Sequence, residues 1–267
     1  MSRQLFGRTV IYTDEEKITS DNLISVLTKA ISVHESNSND IQYLYDYYKG
    51  KTPILEKTKE VRESINHKVN ENRAYEIVSF HKGYTFGEAI QYVRRENSAN
   101  NTDDDAIATD INALNGYMSD ADKVRKVTEF VSNLHPYDKD TEKAACDNDI
   151  AEWIYVGGAG YRLTLPNAAW QPDADEPPFK VYSLDARQTF IVRNNGVDRR
   201  PLMAVYCVER ENHERVYSGY TDKFYFEISE FNGLTAWKPH TLGMIPIVEY
   251  PADIVCILLL SIIFKTI

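Results

Sequence analysis

Four residues, Gly157-Gly158-Ala159-Gly160, divide this chain into two kinds of sequence. Upstream of them apolar residues recur three and four apart, the spacing of one helix face. Downstream the period falls to two, and tyrosine and valine dominate. Tyr161 to Leu165, Lys180 to Leu184, Thr189 to Arg193, Leu202 to Glu209, Arg215 to Tyr220 and Lys223 to Ile228 read as strands. Turn chemistry such as Asn194-Asn195-Gly196 and Glu211-Asn212-His213 joins them. Consecutive short strands with tight turns make an antiparallel meander, not β-α-β units. The fold class expected is therefore α+β, with N-terminal helices packed on an antiparallel β-meander.

The helices can be placed one by one. Asp14 to Val33 reads as the first, capped by Asp14, with Glu15 and Glu16 at its positive end. Ile18, Leu23, Val26, Leu27 and Ala30 give it an apolar face. Ser36 to Asn39 reads as a polar break, after which Asp40 caps a helix carrying Tyr43, Tyr45, Tyr47 and Tyr48. Gly50 stops that helix, because glycine accepts the left-handed conformation, and Pro53 prevents its resumption. A charged helix follows with Val61, Ile65, Val69 and Ile77 in one stripe. Gly83-Tyr84-Thr85-Phe86-Gly87 reads as a tight turn into an extended piece, Ala89 to Arg94, and Glu96 to Asp105 as a solvated loop. Ile107, Ile111 and Leu114 mark one further helix, and Val124, Val127, Phe130, Val131 and Leu134 another. Thr141 to Val156 is the last, with Ala145, Ile150, Trp153 and Ile154.

The chain lacks the residue spacings that carry chemistry. Gly157 to Gly160 lies between a helix and a strand, the reverse of a phosphate cradle, and no Lys-Ser/Thr follows. A helix-to-strand turn is the better reading. His34, His67, His81, His135, His213 and His240, with Cys146, Cys207 and Cys256, form no CxxC, HxxxH or HExxH. Asp103-Asp104-Asp105 lacks the glycine and terminal glutamate of a calcium loop. No serine sits in a G-x-S-x-G elbow. The expectation is no catalytic residue, no metal and no cofactor. The tyrosines around Tyr43 to Tyr48, with Tyr84 and Tyr92, read as core and subunit contact. Base stacking would need more interleaved Lys and Arg than Lys49 and Lys51.

Composition narrows the classes further. The chain has 267 residues and a net charge of -10, which argues against a surface that clamps DNA. An acidic wall past which DNA slides remains compatible. Three widely spaced cysteines imply no disulfide framework and a reducing setting, and the N-terminus has no secretion-signal core.

The order of elements from Tyr43 to Tyr92 resembles the N-terminal signature of siphovirus-type, tailed-bacteriophage portal proteins. The matching residues are Tyr47, Tyr48, Gly50, Pro53, Ile54, Asn66, Asn72, Gly83, Tyr84, Phe86, Gly87 and Tyr92; Glu88 stands where that family usually has Pro. Gly243 to Ala252, with Pro246, resembles the family's G-x-IPIVEYPAN stretch. The resemblance covers residues near 15 to 252. It implies a virion structural protein and no enzyme. Such proteins form a ring, usually of about twelve subunits, at one capsid vertex. Genomic double-stranded DNA passes through that ring without sequence recognition. Its implied partners are other copies of itself, the terminase, scaffold and capsid proteins, and head-tail adaptors, with no membrane and with assembly in the host cytoplasm. In domain terms, 1–156 is the mainly helical part of the portal wing, 157–252 its antiparallel β part, and 253–267 an apolar tail.

That tail, with IVCILLLSIIF from Ile254 to Phe264, is too short to span a bilayer, which takes roughly 20 residues. It does not resemble the polar, helical second half of portals, so the expectation is an N-terminal fragment closed by a frameshift or premature stop. The competing hypothesis is an α+β enzyme or ligand-binding domain held at a membrane surface by the tail. The downstream reading frames separate the two.

Overall fold

The period-two half of the chain builds most of two sheets. A computed structural model of the protein describes residues 8–58, 67–88, 141–171 and 177–252. The larger sheet has six strands in the order β1-β4-β5-β6-β7-β8. These are β1 (Ile11–Thr13), β4 (Thr189–Asn194), β5 (Pro201–Glu209), β6 (Arg215–Tyr220), β7 (Phe224–Ser229) and β8 (Gly233–Pro239). From β4 to β8 each strand pairs antiparallel with the next in sequence, so the meander expectation holds. The smaller sheet has the order β3-β2-β9, with β2 (Ala159–Pro166), β3 (Phe179–Leu184) and β9 (Ile247–Pro251). The fold is α+β, as the two periodicities require.

Three strands escape the sequence reading. β1 is only three residues long and pairs in parallel with β4, Ile11 opposite Val192. β8 opens on Gly233 and closes on Pro239, and β9 closes on Pro251, residues that weaken a strand signal.

Among the described residues the helices are α1 (Leu23–Tyr48), α2 (Arg73–Phe86) and α3 (Thr141–Gly157). Contacts divide the chain into two units. One holds residues 1–87, 147–164 and 182–267 and contains the core described below. The other holds 88–146 and 165–181, where the Asn167 N–H donates to the Pro178 carbonyl at 2.8 Å.

The main core lies between α1 and one face of the larger sheet. Leu23, Val26, Leu27 and Ala30, spaced three and four apart, meet Phe190 and Val192 of β4, Met203 and Val205 of β5, and Phe226 and Ile228 of β7. Every strand pair is spaced by two, so one face is apolar throughout. Each fully buried Leu, Val or Phe contributes roughly 1.5–3 kcal/mol. Gly219 interrupts β6 for a packing reason. A Cβ there would collide with the Phe226 ring and stand 2.8 Å from the Ala204 carbonyl oxygen.

Two helix expectations need correction at the N-terminal end. The first helix does not begin at Asp14. Residues 11–13 are strand, the chain turns, and α1 starts at Leu23 with Asn22 at the cap position. Asp14 instead accepts from Asn195 Nδ2 at 2.9 Å, so its carboxylate serves the β4–β5 turn. The expected break at Ser36 to Asn39 is also absent, and α1 runs unbroken for 26 residues. The reason is visible at Asn37, whose side chain is buried. Its Oδ1 accepts the Thr9 N–H at 2.9 Å and its Nδ2 donates to the Thr9 carbonyl at 2.8 Å. An asparagine engaged with a remote segment no longer competes for its own helix backbone.

The charged helix with the Val61 to Ile77 stripe is corrected as well. Residues 67–72 are not helical, Val69 is exposed and Ile77 lies in α2, while Val61 and Ile65 lie outside the described residues. The tight turn expected at Gly83 to Gly87 is instead the last turn of α2, which runs to Phe86 with Gly87 at its cap. The last helix is found as expected, and Gly158, with φ +80°, turns it into β2. The extended piece at Ala89 to Arg94, the loop after it, both helices expected between Ile107 and Leu134, and the tail from 253 lie outside the described residues.

Candidate functional site

Five of the signature residues, Tyr47, Tyr48, Gly50, Pro53 and Asn72, come together where α1 ends and α2 begins. Gly50 has φ +82° and follows Lys49 at the cap of α1. The Lys51 N–H reaches back to the Asp46 carbonyl at 2.8 Å and the Gly50 N–H to Tyr47 at 3.0 Å. This pair of bonds is the Schellman arrangement, and its left-handed residue favours glycine. Pro53 then opens a short 3-10 turn, Pro53–Leu55. Both expectations for the helix stop therefore hold.

Two asparagines tie the next segment to that helix end. Asn70 Nδ2 donates to the Gly50 carbonyl at 2.6 Å. Asn72 Nδ2 donates to the Tyr48 carbonyl at 2.9 Å, while its Oδ1 accepts the Tyr75 N–H at 3.1 Å. One amide thus satisfies an orphan carbonyl at the end of α1 and an orphan N–H at the start of α2. Asn72 was singled out from the sequence; Asn70 was missed, and only its place two residues before a helix cap could have marked it. Asn66 and Tyr92 lie outside the described residues.

Aromatic side chains pack around this joint. Tyr48 is buried with Val78 and Val156, and its ring stacks on Tyr75 with centroids 5.5 Å apart. Tyr45 stacks on Trp153 of α3 at 5.2 Å. The Arg187 guanidinium lies 4.9 Å from the Tyr45 ring centre and 5.2 Å from that of Trp153. Arg187 is itself held by both Asp185 oxygens and by Gln42 Oε1 at 2.7 Å. Glu152 collects Lys49 at 3.2 Å, Lys82 at 3.4 Å and the Tyr48 hydroxyl at 3.4 Å. Burial, with the Glu152 charge behind it, pushes the Tyr48 phenol up to about 12. Tyr47 is half-buried, 6.3 Å from the Tyr43 ring.

The rest of the signature is scattered. Gly83, Tyr84, Phe86 and Gly87 lie at the far end of α2, where Tyr84 is 84% exposed and Phe86 half-buried. Tyr84 thus packs on little among the described residues, and the extended piece it was expected to lock lies outside them. Pro246 is buried at the entry to β9, and its carbonyl accepts the Thr164 N–H at 3.0 Å.

A second polar centre went unnoticed in the sequence. Glu249 of β9 has only 6% of its side chain exposed and meets Arg8, Arg193 at 2.9 Å and the Tyr161 hydroxyl at 3.2 Å. Burial raises the Tyr161 phenol above its ordinary value. Nothing in a lone glutamate between Val248 and Tyr250 announces that role.

Among the described residues, no group of three or more His, Cys, Asp or Glu side chains is placed to hold a metal ion. No described helix is long and apolar enough to cross a membrane.

The α+β fold thus uses its most recognisable residues as helix caps and stacked rings, which defines a structural scaffold at this joint. The chain belongs to the phage portal protein family, SPP1 Gp6-like, which matches residues 27–255. No curated protein matches it. Family membership implies oligomeric assembly in the phage capsid.

Proposed function

We propose that this chain supplies the wing of a portal subunit. Such a subunit sits in a ring at one capsid vertex. The ring's channel passes double-stranded DNA during packaging and ejection, and the ring joins head to tail. The observation that carries this reading is the family match over 27–255, laid on a joint at Tyr48, Gly50 and Asn72 that is built from caps. In this reading 1–156 and 157–252 are the helical and β parts of the wing. Terminase, scaffold or capsid proteins and head-tail adaptors are the partners, and the role is non-enzymatic.

Subunit contact needs apolar surface, and α2 supplies some. Phe80 is 72% exposed and Tyr84 84%, one turn apart on the same face. Ring subunits meet through two different faces, so blocking one leaves the other unable to close the ring. The test is the mass of the assembled species by light scattering, for the chain and for Phe80→Asp with Tyr84→Asp. Loss of assembly with folding retained supports the proposal. A monomer in both cases, or unchanged assembly in the variant, removes α2 from the contact. ATP hydrolysis by the pure chain, abolished by substitution within Gly157 to Gly160, would overturn the non-enzymatic reading.

A further inference from the structure

We propose that the Asn232–Gly233 turn between β7 and β8 is a site of spontaneous deamidation, and that the equivalent Asn195–Gly196 pair is protected from it. The reaction needs no cofactor. The backbone nitrogen of the glycine attacks Cγ of the preceding asparagine and loses its proton to solvent base. A new C–N bond closes a five-membered succinimide, and the bond to the side-chain nitrogen breaks as that nitrogen takes a proton from solvent and leaves as ammonia. Water then opens the imide at either carbonyl, giving aspartate or isoaspartate and one new negative charge. A glycine in the second position presents no side chain to hinder the attack.

Both pairs meet that requirement; Asn195, Gly196 and Asn232 are exposed, while Gly233 is half-buried as the first residue of β8, opposite Ser229. They differ in what restrains the reacting atoms. At the first pair the leaving group is held, because Asn195 Nδ2 donates to Asp14 Oδ1 at 2.9 Å. The attacking atom is held too, because the Gly196 N–H donates to Asn194 Oδ1. The Asn195 N–H is fixed on the Thr13 carbonyl at 2.9 Å. Attack on Cγ requires the first two of these bonds to break before the nitrogen and the carbon can meet.

At the second pair the backbone is anchored and the carboxamide is not. The Asn232 N–H donates to Ser229 Oγ at 3.0 Å, as does the Phe231 N–H at 3.1 Å. Asn232 is exposed, and among the described residues its side chain has no hydrogen-bond partner. No hydrogen bond among the described residues therefore has to break before its carboxamide carbon turns toward the next nitrogen. Reaction rates follow the population of such near-attack geometries.

The test is peptide mapping by mass spectrometry of the whole folded chain, aged in mildly alkaline buffer, with isoaspartate scored at each site. The map also separates both peptides from the third Asn-Gly pair, Asn115–Gly116. Conversion at Asn232 is expected to run about tenfold or more ahead of Asn195, with the gap closing in urea. Asp14→Ala is expected to raise the Asn195 rate and leave Asn232 unchanged. Asn195 converting as fast as Asn232 in the folded chain overturns the proposal. So does conversion at Asn232 only after unfolding.

Discussion

Asn72 donates to the carbonyl of Tyr48 at 2.9 Å, so the last turn of α1 and the first turn of α2 share one side chain. The same amide caps Tyr75. Asn72→Ala removes both bonds at once and leaves a buried helix end with an unmet carbonyl. A loss of about 2–3 kcal/mol is expected in urea denaturation. Asn72→Asp keeps the acceptor for Tyr75, loses the donor and sets a negative charge against the Tyr48 carbonyl. Its stability is expected to fall between wild type and Asn72→Ala. A change below about 0.5 kcal/mol for the alanine variant would mean that the joint does not hold the helices.

Gly50→Ala probes the other half of the joint. With φ at +82°, a Cβ is strained wherever it points, and here it would stand 3.3 Å from Asn72 Nδ2. The expected cost is about 1–2 kcal/mol. Because the two sites touch, Gly50→Ala combined with Asn72→Ala is expected to cost less than the sum of the single changes.

His34 makes stability depend on acid. Burial against α1's sheet partners lowers its pKa from 6.5 to about 4, although its hydrogen bond to the Arg187 carbonyl at 2.9 Å opposes the shift. The ring packs 4.6 Å from Phe190. Above pH 6.5 the imidazole is neutral in both states and contributes no slope. Between 6.5 and about 4 the unfolded chain binds the proton first, so stability falls as pH falls. The full loss is about 3 kcal/mol. Urea midpoints across that range, compared with His34→Gln, measure it. An unchanged slope in the variant would assign the acid loss to other groups.

Glu249 anchors three separate segments, through Arg8 before β1, Arg193 of β4 and Tyr161 of β2. Glu249→Gln leaves two guanidinium groups with no counter-charge in a mostly buried position. A loss of about 3 kcal/mol is expected, with little dependence on salt, because a buried pair is poorly screened. A salt-sensitive loss under about 1 kcal/mol would place the cluster in solvent.

The apolar run from Ile254 to Phe264 carries one serine and no charge. Such windows promote association. Ending the chain at Ala252 is expected to lower aggregation in light scattering. A discrete ring from the whole chain, lost on shortening, would make the run an assembly element.

What the sequence determined by itself was the class of each half. Spacing of three and four from Leu23 to Ala30 and of two after Gly160 fixed a helix face and a meander, because a helix and a pleated strand each present a face only at their own period. Gly50 with Pro53 marked the end of α1, a local matter of backbone geometry. Residue order from Tyr43 to Tyr92, with the stretch around Pro246, was enough to suggest the family. Everything that depended on a distant partner was decided by the tertiary structure. Asn37 sits in mid-helix because Thr9 occupies its amide. Asp14 serves Asn195 and not a helix, and Asn70 closes a carbonyl twenty residues back. β1 exists because β4 offers it an edge. A short polar side chain has several backbone groups within reach, near and far, and its own sequence does not say which one it will bind.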